Sequence, residues 1–92
     1  MLTDAKGMTL YTFDNDEGGV SACYDQCAAN WPPLVAPEGA AAEGEYGLVQ
    51  RTGGSMQWTY DGKPLYLWIN DKAPGDVTGD GVNDVWHVAK PD

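Results

Sequence analysis

Basic side chains are scarce in this chain: five Lys and Arg stand against fourteen Asp and Glu, a net charge of -9 over 92 residues. An imbalance of that sign repels phosphate backbones and anionic headgroups, which excludes nucleic acid as a partner. Long apolar runs are missing as well. Stretches such as residues 65–69 fall far short of the roughly 18 apolar residues of a membrane span, and no signal-peptide h-region follows Met1, so no transmembrane segment is predicted. With one histidine and no G-x-S-x-G signature, Ser/His/Asp catalysis lacks its parts. Two cysteines and that one histidine are too few for a four-ligand zinc site. The length suits a single small domain over residues 1–92, whose core is marginal enough for a covalent staple to help.

What the chain has in quantity is Gly (12), Pro (6), Tyr (5) and Trp (4), a turn-rich and aromatic composition that favours an all-β extracytoplasmic domain. It also repeats itself. Shifted by 55 positions without a gap, Gly7 falls on Gly62, Leu10 on Leu65, Tyr11 on Tyr66, Asn15 on Asn70, Asp16 on Asp71, Asp25 on Asp80 and Trp31 on Trp86. Phe13 falls on Trp68. Repeat one covers about 2–34 and repeat two about 57–89; units this short rarely bury a hydrophobic face alone, so the two are predicted to share one core. Residues 35–45, rich in Ala, Pro, Gly and Glu, read as a surface linker, and an extra strand follows at about 47–52.

Asp61-Gly62, between residues 56–60 and 64–69, predicts a hairpin, and Gly53-Gly54 predicts another before it. Short strands at 1–4 and 8–13 flank a turn at Ala5-Lys6-Gly7, and the last strand is predicted at 85–90. Period-two alternation puts Tyr11, Phe13, Tyr66 and Trp68 on one sheet face and Leu10, Leu65, Leu67 and Ile69 on the other. Ser21 is placed to cap a short helix over about 22–30, which Pro32-Pro33 would stop. The predicted fold is therefore a small antiparallel β domain of two tandem hairpin-based repeats with one short helix or helical turn.

The segments Tyr11-Thr12-Phe13-Asp14-Asn15-Asp16 and Tyr66-Leu67-Trp68-Ile69-Asn70-Asp71 resemble the Y-x-[FWY]-x-x-D motif of a bacterial and archaeal secreted or lipoprotein repeat family of unknown function. The resemblance extends to residues 7–11, to Ser21-Ala22-Cys23 through Cys27-Ala28, to residues 31–34, and to residues 72–76 followed by Gly79, Gly81-Val82 and Trp86. It implies a cell-envelope or exported location and no known activity.

Each chemical feature has a plain alternative. Tyr11, Phe13 and Asp16, like Tyr66, Trp68 and Asp71, make a structural motif: aromatics fill one face, and Asn-Asp at the strand end suits a turn. Reading Asp16 and Asp71 as paired catalytic carboxylates leaves them without positioned partners. Cys23 and Cys27, four residues apart, are close enough for a disulfide, which an oxidising compartment favours. The same two cysteines with His87 form a soft set suited to copper or thiol chemistry. Residues 76–84 place Asp76, Thr78, Asp80 and Asp84 at positions one, three, five and nine, with Gly81 at six and the Val82 carbonyl at seven, a compact Ca²⁺-loop pattern or else a glycine-rich turn. The many Trp and Tyr rings could build a sugar-stacking surface, but their duplicated positions make core the simpler account.

The reading that results is an exported, non-enzymatic structural or interaction module of the cell envelope, stabilised by Ca²⁺ if the loop at 76–84 holds it. The alternative is a metal or redox protein using Cys23, Cys27 and His87. Its partner would be an envelope or extracellular protein, or a second copy of the chain.

Overall fold

The computed structural model describes residues 2–16 and 21–90. It is built from antiparallel strands, with one short helix. In chain order these are β1 (Tyr11–Phe13), α1 (Gln26–Asn30), β2 (Val35–Ala36), β3 (Tyr46–Gln50), β4 (Met56–Tyr60), β5 (Lys63–Pro64), a 3₁₀ turn (Val82–Asp84) and β6 (Trp86–Val88). β4 is central to one sheet, paired with β2 and β3 and, through the Asp61-Gly62 turn, with β5. Both turn residues have positive φ (51° and 79°), the conformation for which the Asp-Gly pair predicts a tight hairpin. β1 and β6 form the second sheet, in register Tyr11↔Val88, Thr12↔His87 and Phe13↔Trp86.

The repeats are interlocked rather than stacked, because each gives its strand to the other. β1 of repeat one runs beside β6 of repeat two. Residues 65–69 of repeat two run in turn beside residues 30–34 of repeat one, with Leu34 N–H bonded to Leu65 O at 3.0 Å and Ile69 N–H to Asn30 O at 3.1 Å. Moved by 55 positions, these bonds become Ala89 N–H to Leu10 O at 2.8 Å and Asp14 N–H to Val85 O at 2.8 Å, so the contacts come in pairs exchanged by the repeats. At the crossing point Tyr11 and Tyr66 bond each other's backbone in both directions, at 2.8 and 2.9 Å.

The two faces of these crossed strands carry two cores, as the period-two pattern predicts. One is aliphatic, around Leu10, Leu65 and Ala89. The other is aromatic, around Tyr11, Trp31, Tyr66 and Trp86, and includes Cys23. Four rings stack there in a column: Phe13 on Trp86 (centroids 4.2 Å), Trp86 on Trp31 (3.8 Å) and Trp31 on Trp68 (4.0 Å). Tyr11 meets Trp31 edge-on at 5.4 Å, and Tyr66 meets Trp86 in the same way at 5.1 Å. Offset stacks and edge-to-face contacts are the favoured aromatic geometries and add to the stabilisation from burial.

Five local expectations are corrected. Ile69, predicted on the aliphatic face with Leu65 and Leu67, is exposed. The strand predicted over residues 64–69 is regular only at β5; beyond it Tyr66 makes isolated bridges to Tyr11 and Pro33. Pro32 and Pro33 cause this, since neither has an N–H to return to the Leu67 side of the ladder. The linker predicted from residue 35 starts with β2, where Val35 and Ala36 pair with Gln57 and Met56 and Ala36 is buried. Ser21 caps no helix: α1 begins after Asp25, which makes no side-chain capping bond, and Ser21 is buried among polar side chains. Of the terminal strand predicted at 1–4, a single bridge from Thr3 to Thr9 is present. Met1 lies outside the described residues.

Gly79 closes the aromatic column. A Cβ there would lie 2.7 and 2.9 Å from ring atoms of Trp31 and 3.1 Å from Trp68, contacts too short for real carbon atoms. Gly79→Ala should therefore destabilise the fold by about 1–3 kcal/mol through overpacking. Chemical denaturation measures the loss, and the near-UV dichroism of the stacked tryptophans should weaken with it; an unchanged midpoint would contradict the packing.

Candidate functional site

The two motifs meet at the crossing point, where Tyr11 and Tyr66 are fully buried. Their backbones pair, so their side chains leave the strands near one another. After β1 the chain turns, with Asp16 N–H bonded to Phe13 O; residues 68–71 repeat this with Asp71 N–H on Trp68 O, both at 3.1 Å. Each turn carries the motif aspartate back toward the core. Tyr11 Oη donates to Asp71 Oδ2 at 2.7 Å, and Tyr66 Oη donates to Asp16 Oδ2 at 2.8 Å. The tyrosine of each motif thus uses the aspartate of the other.

The second carboxylate oxygens organise the loops that follow. Asp16 Oδ1 accepts Ala22 N–H at 2.7 Å. Asp71 Oδ1 accepts Thr78 N–H at 3.0 Å and the Thr78 hydroxyl at 2.6 Å. Gly79 N–H completes that end by donating to Tyr11 Oη at 3.2 Å. The Tyr66 end is built differently, because a buried cation enters it. Arg51, the sole arginine of the chain, donates from Nη1 to Ser21 Oγ (2.8 Å) and Gln57 Oε1 (2.9 Å), and from Nη2 to Cys23 O (2.7 Å). Its guanidinium also lies 4.4 Å from the centre of the Tyr24 ring. The Tyr66 hydroxyl proton goes to Asp16, so the 2.6 Å contact between Ser21 and Tyr66 has Ser21 donating. A one-way chain of donors follows, from Arg51 through Ser21 and Tyr66 to Asp16, in which each bond polarises the next.

The electrostatics keep these groups in fixed protonation states. Burial, reinforced by the bond to a carboxylate, pushes the Tyr11 and Tyr66 hydroxyls well above the ordinary tyrosine range. Burial also raises Asp16, against the opposing pull of Ala22 N–H, Tyr66 and the Arg51 charge. Neutral tyrosines with high pKa values are hydrogen-bond donors, not acids or bases near neutrality. The Ser21 hydroxyl points its proton at Tyr66 and accepts from a permanent cation, so no base activates it. Arg51 and Gln57 were not singled out from the sequence, and Ser21 was read only as a helix cap. The available signal was a lone arginine beside the Gly53-Gly54 turn in an acidic chain.

The other predicted sites are dispersed. Cys23 and Cys27 are joined by a disulfide, with Cα atoms 5.2 Å apart and Cys23 in the aromatic core. Bridged sulfurs are not thiolates, and His87 bonds Asp14 Oδ2 at 2.8 Å on the exposed side of β6, so the copper ligand set does not fit. In the loop at 76–84, Asp76 Oδ2 accepts the Lys72 and Ala73 amides. Thr78 is bonded to Asp71, Asp80 Oδ1 faces Val88 N–H at 3.3 Å, and the Val82 carbonyl accepts Val85 N–H. Asp84 and Asn83 take left-handed φ values of 59° and 53°, which Asp and Asn tolerate best after glycine. Backbone amides thus take one oxygen each of Asp76 and Asp80, and among the described residues no three His, Cys, Asp or Glu side chains converge as metal ligands.

Crossed partners make a double-mutant test possible. Combining Tyr11→Phe with Asp71→Asn, or Tyr66→Phe with Asp16→Asn, should give coupling energies of about 1–3 kcal/mol in unfolding experiments. The within-motif pair Tyr11→Phe with Asp16→Asn should be nearly additive; strong coupling there would overturn the exchange. Alkaline titration supplies a second check. A hydroxyl whose folded pKa exceeds its unfolded value near 10 contributes stability that is complete below about pH 10 and is lost as pH rises further. Two of the five tyrosines should therefore stay un-ionised until the protein unfolds. Tyr24, whose pKa is lowered by the amide of Thr52, should ionise first. Tyrosinate absorbance in the Tyr11→Phe and Tyr66→Phe variants assigns the two late groups.

Among the described residues no helix is long and apolar enough to cross a membrane. Residues 1–35 and 47–90 match the model of a family described as a secreted repeat of unknown function. Searches of curated proteins and of solved structures gave no match. The matched segments contain the two interlocked units, the second taking in β3 as well, and together they span most of the chain, which therefore belongs to this family of secreted repeats.

Proposed function

We propose that this protein is an exported structural or interaction module of the cell envelope, without catalytic activity of its own. The observation that carries the reading is the mutual use of the motif side chains. Tyr11 with Asp71 and Tyr66 with Asp16 satisfy one another in the core, leaving the most chemical residues of both repeats committed to architecture. The disulfide suits an oxidising compartment, where closing so short a loop adds about 2 kcal/mol to a small domain. The family description, a secreted repeat, points to the same location. The acidic surface favours solubility and keeps anionic polymers away, which fits an exposed module better than a nucleic-acid or headgroup binder.

Fractionation of the source cells tests this. Antibody detection should find the protein outside the cytoplasmic membrane, and alkylation of the unreduced, denatured chain should label neither Cys23 nor Cys27. A cytoplasmic pool with two free thiols would overturn the proposal.

A further inference from the structure

The interlocked core leaves one surface depression whose chemistry differs from its surroundings. It has a volume of about 520 Å³ and lies where the repeats meet, between the turn after β1, helix α1 and the 3₁₀ turn. Its rim holds the amides of Asn15, Gln26, Asn30 and Asn83, four of the chain's seven Asn and Gln residues. Beneath it lie Trp31 and Trp86, buried with both ring faces covered in the column, so Phe13, only partly buried, is the aromatic ring it leaves accessible. None of its lining among the described residues carries a charge, although the chain has nineteen charged Asp, Glu, Lys and Arg residues. Three further grooves are each lined in part by Asp, Glu or Lys.

That combination selects a ligand class. A carboxylate only accepts and an ammonium only donates, whereas an amide does both and so matches a hydroxyl, which also does both. Asn15, Gln26 and Asn83 are exposed, and Gln26 reaches Asn30 only through a long 3.4 Å contact, so these groups can exchange water for a ligand. Phe13, held in place by its stack on Trp86, offers apolar area to C–H groups; a few convergent polar groups beside an apolar surface is the usual construction of a small-ligand site. We propose that this depression binds a short segment of neutral carbohydrate, its hydroxyls on the four amides and an apolar ring face toward Phe13. The inference rests on the interaction-module reading above and gives it a ligand class.

The test is titration of isotope-labelled protein with neutral cello-, malto- and chito-oligosaccharides, with oligogalacturonate as the anionic control, followed by nuclear magnetic resonance. At least one neutral oligosaccharide should shift the side-chain NH₂ signals of Asn15, Gln26, Asn30 and Asn83 saturably, and oligogalacturonate should not. Replacing the exposed pair, Asn15→Ala with Gln26→Ala, should weaken binding roughly tenfold or more while leaving the melting temperature unchanged. Silence of these signals across the neutral set, equal binding by the double variant, or equal binding of the anionic control would overturn the inference. An envelope location with a closed disulfide but no sugar response would leave the module reading standing and remove the ligand.

Discussion

The mutual pairing of Tyr11 and Tyr66 is the constraint on which the remaining structure depends. Their backbones bond to each other, and their hydroxyls reach across to Asp71 and Asp16. A buried donor or acceptor without a partner costs about 1–3 kcal/mol, and more for a charged group. If either repeat opened alone, it would strip a partner from both tyrosines and both aspartates at once. The penalty for four such groups is comparable with the entire stability of about 5–15 kcal/mol that small domains possess. Neither repeat can be well formed without the other, and the polar centre makes the fold cooperative. The stacked column reinforces this, because its rings alternate between repeats in pairs: Phe13 on Trp86, Trp31 on Trp68.

Much of this was legible in the sequence because duplication leaves a mark that survives without any alignment. A single offset joins Tyr11 to Tyr66 and Trp31 to Trp86, and the structure places each pair in matching edge-on contacts. The alternation of aromatic and aliphatic positions told which side chains share a face. It could not tell which repeat supplies the partner. A Tyr and an Asp five residues apart suggest a local contact, whereas the chain satisfies both by exchange, and exchange is a property of topology that no one-dimensional pattern contains. Pro32-Pro33 was readable as a helix stop; that the same prolines also break the ladder beside Leu67 depends on which strand lies there.

The ambiguous positions share a cause. Ser21 resembled a helix cap, and Asp76, Asp80 and Asp84 resembled metal ligands, because Ser and Asp side chains bond backbone amides in caps, turns and cation loops alike. Spacing does not choose among these uses. What chose was competition for the same oxygens. Asp76 Oδ2 is taken by the amides of Lys72 and Ala73, and Ser21 is taken by Arg51 and Tyr66. Arg51 escaped notice because it lies outside both repeats, where the duplication offers no counterpart. It nevertheless joins the β3–β4 turn to the disulfide loop through hydrogen bonds to Ser21 and Cys23, with a third to Gln57 of β4.

Departures from the repeat concentrate in the loops that follow the two motifs. In repeat one that loop holds α1 and the disulfide; in repeat two it holds the tight turns around Gly75, Gly81 and the left-handed Asn83 and Asp84. Both loops are tied at the same point, by the second oxygen of a motif aspartate: Asp16 to Ala22, Asp71 to Thr78. Beyond that tether Cys23 and Gly79 still serve the shared core, but the exposed residues of both loops are free of its demands. A symmetric interior with two independently varying loops at its seam can change surface chemistry without disturbing the Tyr–Asp exchange. Gln26 and Asn30 come from the first loop and Asn83 from the second, and they face the same depression. An uncharged patch on so acidic a chain is placed where the fold tolerates substitution best, at the seam between units that hold each other from within.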